Sequence, residues 1–175
     1  MRGAIAAGHP LTAEAGARVL REGGNAVDAL LAAAFTAFVT EGPLTGPAGA
    51  GLLLVHEPGA GTTLLDCFFA VPAERLGAMD EVVIDFEDAG TQVFHVGEGS
   101  VAVPGLLAGL EEAHRRHATW DWADLVAPAL DLARTGVRRK KVKRLGAKKA
   151  VVCGQPAASL VAIAEDALGL ACDAG

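Results

Sequence analysis

Apolar residues in the first part of the chain recur with the spacing of two helices. Between Leu11 and Leu20 they return every three or four positions, and we expect Thr12 to cap this helix, with Glu14 in its first turn. A second helix, from Ala26 to about Val39, is apolar on nearly all sides. Such a helix has to be covered by other elements, so the pattern predicts a buried helix at the centre of a layered domain.

A glycine junction over residues 23–28 joins these two helices. Gly23 can adopt the left-handed conformation that ends a helix, at no steric cost. Asn25 is a strong N-cap residue, and Asp28 lies three positions later, where its carboxylate can reach back to free backbone amides. The junction is therefore predicted to end one helix and begin the next within a few residues.

The middle of the chain alternates between apolar and polar residues as short strands do. Pro58 and Gly59 suggest a hairpin turn between two of these strands. Four glycines and two prolines between Glu41 and Gly51 exclude helix or ordinary strand there. The predicted strands are 3–8, 52–55, 62–66, 81–86, 93–96 and 100–103.

The last third of the chain returns to helical spacing. Amphipathic helices are predicted over 106–117 and 122–134, with Gly136 ending the second, and a further helix is predicted over 156–170. Helices thus precede and follow a mostly antiparallel sheet, which predicts an α+β fold.

Charge is distributed unevenly along the 175 residues, whose formal net charge is −6. Eight of the 15 basic residues lie in a basic segment, Arg138–Lys149, that contains no acidic residue. The segment could be solvated charge, a site for phosphates or acidic partners, or a tail foreign to the acidic body. No aromatic residue is interleaved, so base stacking is not supported and nucleic acid is not the favoured partner.

The three cysteines, Cys67, Cys153 and Cys172, are an odd number without metal-ligand spacing, so no disulfide framework is predicted. Cys67 lies in an apolar run and is interpreted as a small buried hydrophobe. The chain opens without a secretory leader, which predicts a cytoplasmic protein. The apolar helix over 26–39 is shorter than the roughly 20 residues of a membrane span, so no membrane partner is expected.

No histidine suggests a catalytic or metal site. His114 and His117 share a helix face with Glu111, but no further ligand has matching spacing, and we interpret this face as solvated. His9 and His56 are single histidines, which we expect to be structural or exposed.

Two further stretches only imitate functional motifs. The Gly46–Gly51 loop lacks the Lys-Ser/Thr of a phosphate loop and precedes a strand instead of a helix. Cys153 has no histidine placed to act as its base. We therefore predict no metal, no cofactor and no self-sufficient catalytic set.

Several motifs together resemble gamma-glutamyltransferases (glutathione hydrolases). The similarity begins at Ala6-Ala-Gly-His-Pro-Leu-Thr-Ala-Glu-Ala-Gly16 and continues through 20–29 and 41–51. It resumes at Ser100-Val-Ala-Val-Pro-Gly105 and over 122–136. The most specific string is Gly23-Gly-Asn-Ala-Val-Asp-Ala29. The resemblance identifies the chain as the N-terminal, large-subunit portion of such an enzyme.

This resemblance implies an N-terminal nucleophile (Ntn) hydrolase fold, an αββα sandwich of which the chain holds the large-subunit part. Family precursors cut themselves into two subunits and expose a threonine that attacks a γ-glutamyl amide, with its own α-amine as base. The acyl-enzyme then passes to water or to an amino acid. The implied partners are a small-molecule γ-glutamyl substrate and the missing small-subunit segment.

Two departures from the family pattern concern the site. The chain ends before the family's nucleophile, and Thr62 and Thr63 are internal strand residues, so we assign no catalytic residue and expect the chain alone to be inactive. The family places a carboxylate-binding arginine where this chain has Phe68. A phenyl ring cannot form a bidentate, charge-assisted pair, so the carboxylate is bound otherwise or the substrate differs.

The similarity fades after Val137, which divides the chain into three parts. Residues 1–137 form the gamma-glutamyltransferase-like region, 138–149 the basic segment, and 150–175 a diverged or foreign tail, predicted helical. A shifted reading frame would explain the last two. The alternative function is a non-enzymatic module or pseudoenzyme relic that binds acidic partners or nucleic acid through Arg138–Lys149.

Overall fold

The computed structural model of the chain describes residues 3–74, 77–87 and 90–137. They fall into two compact units, 3–47 with 110–137, and the described part of 48–109. The helix predicted over 156–170 and the basic segment lie outside the described residues. The elements are α1 (Pro10–Arg21), α2 (Ala26–Thr40), β1 (Gly51–Glu57), β2 (Gly61–Cys67), β3 (Asp80–Asp85), β4 (Thr91–Val96), a 3₁₀ turn (Glu98–Ser100), α3 (Leu106–His117) and α4 (Trp122–Thr135).

The predicted glycine junction between α1 and α2 is confirmed. Gly23 has a φ of 101°, in the left-handed region. The Asn25 side chain accepts hydrogen bonds from the backbone N–H groups of Val27 and Asp28, at 2.8 and 2.9 Å. In return the Asp28 carboxylate accepts one from the Asn25 backbone N–H at 2.8 Å, which completes a capping box.

The predicted cap of α1 is wrong by three residues. His9, not Thr12, is the N-cap, and its Nδ1 accepts a hydrogen bond from the Leu11 backbone N–H at 3.2 Å. Pro10 then opens the helix, where its lack of an N–H costs nothing. Thr12 is 3% exposed, and its hydroxyl lies 2.8 Å from Thr40 Oγ1 at the end of α2. The threonine therefore joins the two helices.

Helix α2 is the buried centre of the first unit, as predicted. It packs against α1 and α4, and Leu31, Ala32 and Thr36 have no exposed surface. The Phe35 ring contacts the Trp122 ring edge to face, with centroids 4.9 Å apart. Among the helices that the structure describes, none has the length and apolar character needed to cross a bilayer.

Asp28 also binds a part of the chain far from it in sequence. Its Oδ1 accepts hydrogen bonds from the backbone N–H groups of Thr119 (2.8 Å) and Trp120 (3.2 Å), and its Oδ2 accepts one from the Thr119 hydroxyl (2.6 Å). Burial favours a higher pKa for Asp28, but the bonds from Thr119, Asn25 and Trp120 outweigh it and lower the pKa below its ordinary value. An ionised carboxylate thus ties the start of α2 to the loop between α3 and α4.

The described part of the second unit contains two separate two-stranded antiparallel sheets, β1–β2 and β3–β4. In β1–β2, Leu53 pairs with Leu65, and the turn predicted around Pro58 and Gly59 connects the strands. One face of this hairpin is largely covered, including Leu53, Val55 and Cys67, and the other exposes three leucines by 57–66% of their surface. These three are Leu52, Leu54 and Leu64.

Two predicted strands are wrong. Residues 3–8 form no ladder, and in the segment 100–103 only Val103 pairs, through a single antiparallel bridge to Ala70. Both runs are apolar enough to resemble strands, but a strand also needs a neighbour along its length, and apolar spacing does not specify one. In place of the predicted, mostly antiparallel sheet, the described residues form two hairpins and an isolated bridge.

Candidate functional site

Phe68, the one site residue predicted from the sequence, lies immediately after the end of β2. Its side chain is 61% exposed, and that of the adjacent Phe69 is 42% exposed. The two rings meet edge to face, with centroids 5.5 Å apart. The Phe68 backbone N–H donates a hydrogen bond to Asp66 Oδ1 at 3.0 Å, which tightens the turn out of the strand. We call Phe68 and Phe69 the aromatic pair.

Backbone contacts fix the position of the aromatic pair. On one side, Ala70 and Val103 exchange two backbone hydrogen bonds, at 3.0 and 2.8 Å. On the other, Gly105 approaches so closely that a Cβ there would lie 2.5 Å from the Phe68 carbonyl oxygen. Gly109, in the first turn of α3, also lies close to Cys67. A Cβ at Gly109 would overlap the Cys67 side chain. The sequence analysis included Gly105 in a motif but assigned neither glycine a packing role, although two glycines four residues apart, one just before α3 and one in its first turn, could have indicated a close contact.

Cys67 is a buried hydrophobe, as predicted. Its side chain is 4% exposed, and its Sγ lies 3.5 Å from the Leu65 carbonyl oxygen. Burial raises the pKa of the Cys67 thiol, and the charge of Asp66 raises it further. The thiolate, which is the nucleophilic form, is therefore suppressed at neutral pH.

We expect Cys67 to react with iodoacetamide at least about tenfold more slowly in the native chain than in denaturant, because both burial and its raised pKa oppose alkylation. Mass spectrometry of the Cys67 peptide over time measures this rate separately from the other two cysteines. Equal rates in the two conditions would contradict the packing of α3 on β2.

Among the acidic residues, lysines and arginines, the described part of the second unit contains only acidic ones. It contains no lysine or arginine, so an anionic group placed at the aromatic pair would find no guanidinium or ammonium partner among these residues. Its carboxylates are Glu57, Asp66, Glu74, Asp80, Glu81, Asp85, Glu87 and Glu98.

The histidines of α3 do not lie on a solvated face, which corrects the sequence interpretation. His114 and His117 are both partly buried. His114 Nε2 forms a hydrogen bond with the Trp120 carbonyl oxygen at 2.9 Å, and its ring meets the Trp122 ring edge to face at 5.2 Å. The His117 carbonyl oxygen accepts a hydrogen bond from the Asn25 amide at 2.7 Å. These residues join α3 to the first unit's other helices.

The remaining predicted candidates have structural positions. His9 caps α1, and the exposed His56 lies opposite Thr62 in the first hairpin, with Nδ1 2.9 Å from the hydroxyl oxygen. Thr62 and Thr63 lie inside β2, and Cys153 lies outside the described residues. In the part of the chain that the structure describes, no group of three or more His, Cys, Asp or Glu residues could hold a metal ion.

Comparisons with known proteins converge on one family. A family model described as gamma-glutamyltranspeptidase matches residues 12–152. The glutathione hydrolase proenzyme of Bacillus subtilis is 38% identical over 138 residues, which are 77% of this chain and 23% of that protein. The acylase ACY 1 proenzyme of Pseudomonas sp. strain SE83 is 34% identical over 139 residues, 77% of this chain and 25% of that protein.

Solved structures agree with these matches. The gamma-glutamyltranspeptidase of Pseudomonas nitroreducens superposes with a TM-score of 0.59 at 31% identity, covering 75% of this chain and 38% of that one. The Helicobacter pylori gamma-glutamyltranspeptidase gives a TM-score of 0.60 at 30% identity, covering 77% of this chain and 38% of that one.

These matches identify the fold class and show how much of its relatives' length the chain covers. The described helices and small antiparallel sheets are a partial α+β fold of the Ntn hydrolase type, as predicted. The chain spans about a quarter of the length of the two curated relatives, at their N-terminal part. With most of its residues matched in order, the chain belongs to the gamma-glutamyltranspeptidase family.

Proposed function

We propose that this chain forms the large-subunit part of an enzyme that transfers or hydrolyses the acyl group of an amide. The reference substrates are γ-glutamyl amides such as glutathione. The observation that carries the proposal is the family match over residues 12–152. The relatives named as glutathione hydrolase and acylase share this acyl chemistry and differ in the acyl group their names imply.

The proposed reaction proceeds through an ester on a threonine. The hydroxyl oxygen attacks the amide carbonyl carbon, a C–O bond forms, and the C–N bond breaks. The hydroxyl proton passes to the threonine's own α-amine and from there to the departing nitrogen. Water or an amine then attacks the ester, releases the acyl product and returns a proton to the threonine oxygen. An α-amine pKa of about 7.7–8.0 suits this role near neutral pH.

We place this threonine outside the 175 residues, on the small-subunit segment. Thr62 and Thr63 are paired within β2, opposite His56 and Val55, so neither has a free α-amine. The contribution that we assign to this chain is the acyl-binding wall, with Phe68 at the position where the family's arginine binds the substrate carboxylate.

The 175-residue chain by itself is expected to release no 4-nitroaniline from γ-glutamyl-4-nitroanilide, because we place the nucleophilic threonine on another segment. A chimera in which residues 12–137 replace the matched segment of the B. subtilis proenzyme is expected to cut itself and to cleave an amide. Absorbance at the nitroaniline band measures amide cleavage by the isolated chain and by the chimera, denaturing gel electrophoresis measures self-cleavage of the chimera, and the unaltered B. subtilis enzyme is the positive control.

Two outcomes would count against this function. Turnover by the isolated chain would refute the placement of the nucleophile, and a folded, self-cut chimera that cleaves no amide would refute the acyl chemistry. The same preparation tests the alternative module. Tight binding of duplex DNA that weakens steeply with salt would favour polyanion binding through Arg138–Lys149.

A further inference from the structure

We infer that the aromatic pair selects an uncharged, apolar acyl group, so that the substrate of this protein carries no carboxylate at that end. The inference rests on the proposed function, because it takes amide acyl transfer as given and concerns only the acyl group that is transferred.

The first observation is the surface that the pair presents. Phe68 and Phe69 expose 61% and 42% of their surface, and their edge-to-face contact leaves hydrocarbon facing outward. Water contact with two adjacent phenyl rings is unfavourable, and covering them with apolar ligand surface stabilises a complex by roughly 25 cal/mol per Å². An aliphatic or aromatic acyl chain provides such surface, whereas a carboxylate does not.

The second observation is that the pair is held in place before any ligand arrives. The Ala70–Val103 bridge and the contact of Gly105 with the Phe68 carbonyl oxygen fix the backbone on both sides. A surface that is already ordered loses little conformational entropy on binding, so its shape can discriminate between acyl groups.

The third observation is the charge around the pair. The carboxylate of Asp66 is bonded to the Phe68 backbone N–H, and the described residues of this unit contain no lysine or arginine. A substrate carboxylate at this position would lose hydration and be repelled by Asp66, and none of the described residues of this unit would offset that repulsion with a lysine or arginine charge. The charge distribution therefore disfavours the carboxylate of a γ-glutamyl group and permits an acyl group without one.

The test compares two amides in the chimera that carries residues 12–137. We expect its kcat/KM for phenylacetyl-4-nitroanilide to exceed that for γ-glutamyl-4-nitroanilide by about tenfold or more. Phe68→Arg should shift this ratio toward the γ-glutamyl amide by about tenfold or more, since a charge-assisted pair is worth that much. Val83→Arg is the matched control: it adds the same charge at a residue that is 62% exposed, and the ratio should not change.

Each outcome decides the inference. A preference of the chimera for the γ-glutamyl amide, or for the cationic L-lysyl-4-nitroanilide, overturns it and leaves the proposed function standing. If the chimera gives no turnover, the intact B. subtilis enzyme decides: phenylalanine at its residue aligned with Phe68 should raise the phenylacetyl to γ-glutamyl ratio about tenfold, and an unchanged ratio overturns the inference.

Discussion

Replacing Asp28 by alanine is expected to lower the free energy of unfolding by at least about 3 kcal/mol, a large share of a typical domain's stability. The carboxylate has no exposed surface and accepts four hydrogen bonds, from the Asn25, Thr119 and Trp120 backbone N–H groups and the Thr119 hydroxyl. Alanine leaves these donors without their acceptor in a buried position. Urea unfolding of the 175-residue chain, followed by circular dichroism, measures the loss.

Asp131→Ala is the matched control, because Asp131 is an exposed aspartate on α4 and its removal should change stability by no more than about 0.5 kcal/mol. Similar unfolding midpoints for the two variants would show that the carboxylate does not join α2 to the α3–α4 loop in solution.

Acid provides a second measurement of the same contact. The pKa of Asp28 is lower in the folded chain than its ordinary value of 3.8, so the folded state holds the ionised form more strongly. Its contribution is complete above the unfolded pKa and is lost as the pH falls through the folded one. Below about pH 4 the native chain should therefore lose stability faster than Asp28→Ala, which has no such group to protonate.

Gly105→Ala is expected to destabilise the second unit by about 2 kcal/mol or more. A Cβ at this position would lie 2.5 Å from the Phe68 carbonyl oxygen and 2.9 Å from that of Cys67. Both neighbours are backbone atoms, so relief requires α3 or the segment after β2 to move, and such overpacking costs about 1–3 kcal/mol. Hydrogen exchange of the Ala70 amide, which is bonded to the Val103 carbonyl oxygen, should accelerate in the variant.

Gly46→Ala is the control for this prediction, because a Cβ at Gly46 would meet no atom within 4 Å. Its stability should be unchanged or slightly higher, as expected for a glycine replaced at an unstrained position. Equal exchange rates for Ala70 in the two variants would contradict the close approach of Gly105.

Local signals were sufficient to predict the helices and the first hairpin. Asn25 and Asp28 lie three residues apart, so their capping box depends on the intervening backbone alone and is readable from the sequence. The cap at His9 was missed because histidine is not among the residues preferred at that position. The false strand over 100–103 shows the limit of apolar spacing, which does not reveal whether a partner strand exists.

The site was predictable only in part, because local spacing does not reveal which distant residues come into contact. Phe68 could be singled out from the motif in which it occurs, but its pairing with Phe69 depends on side-chain rotamers. The support from Gly105 depends on the path of α3, which no local spacing specifies. Likewise, Asp28 was predicted as a cap, whereas its bonds to Thr119 and Trp120 join residues about 90 positions apart.

That separation has a consequence for synthesis on the ribosome. Asp28 is made 91 residues before Thr119, which at about 5–20 residues per second is a delay of roughly 5–18 s. During this interval the apolar helix α2 has α1 beside it but lacks α4 and the loop that binds the carboxylate. The nascent chain therefore exposes the most hydrophobic surface of the first unit for seconds, an interval in which a chaperone that binds apolar segments can compete with folding.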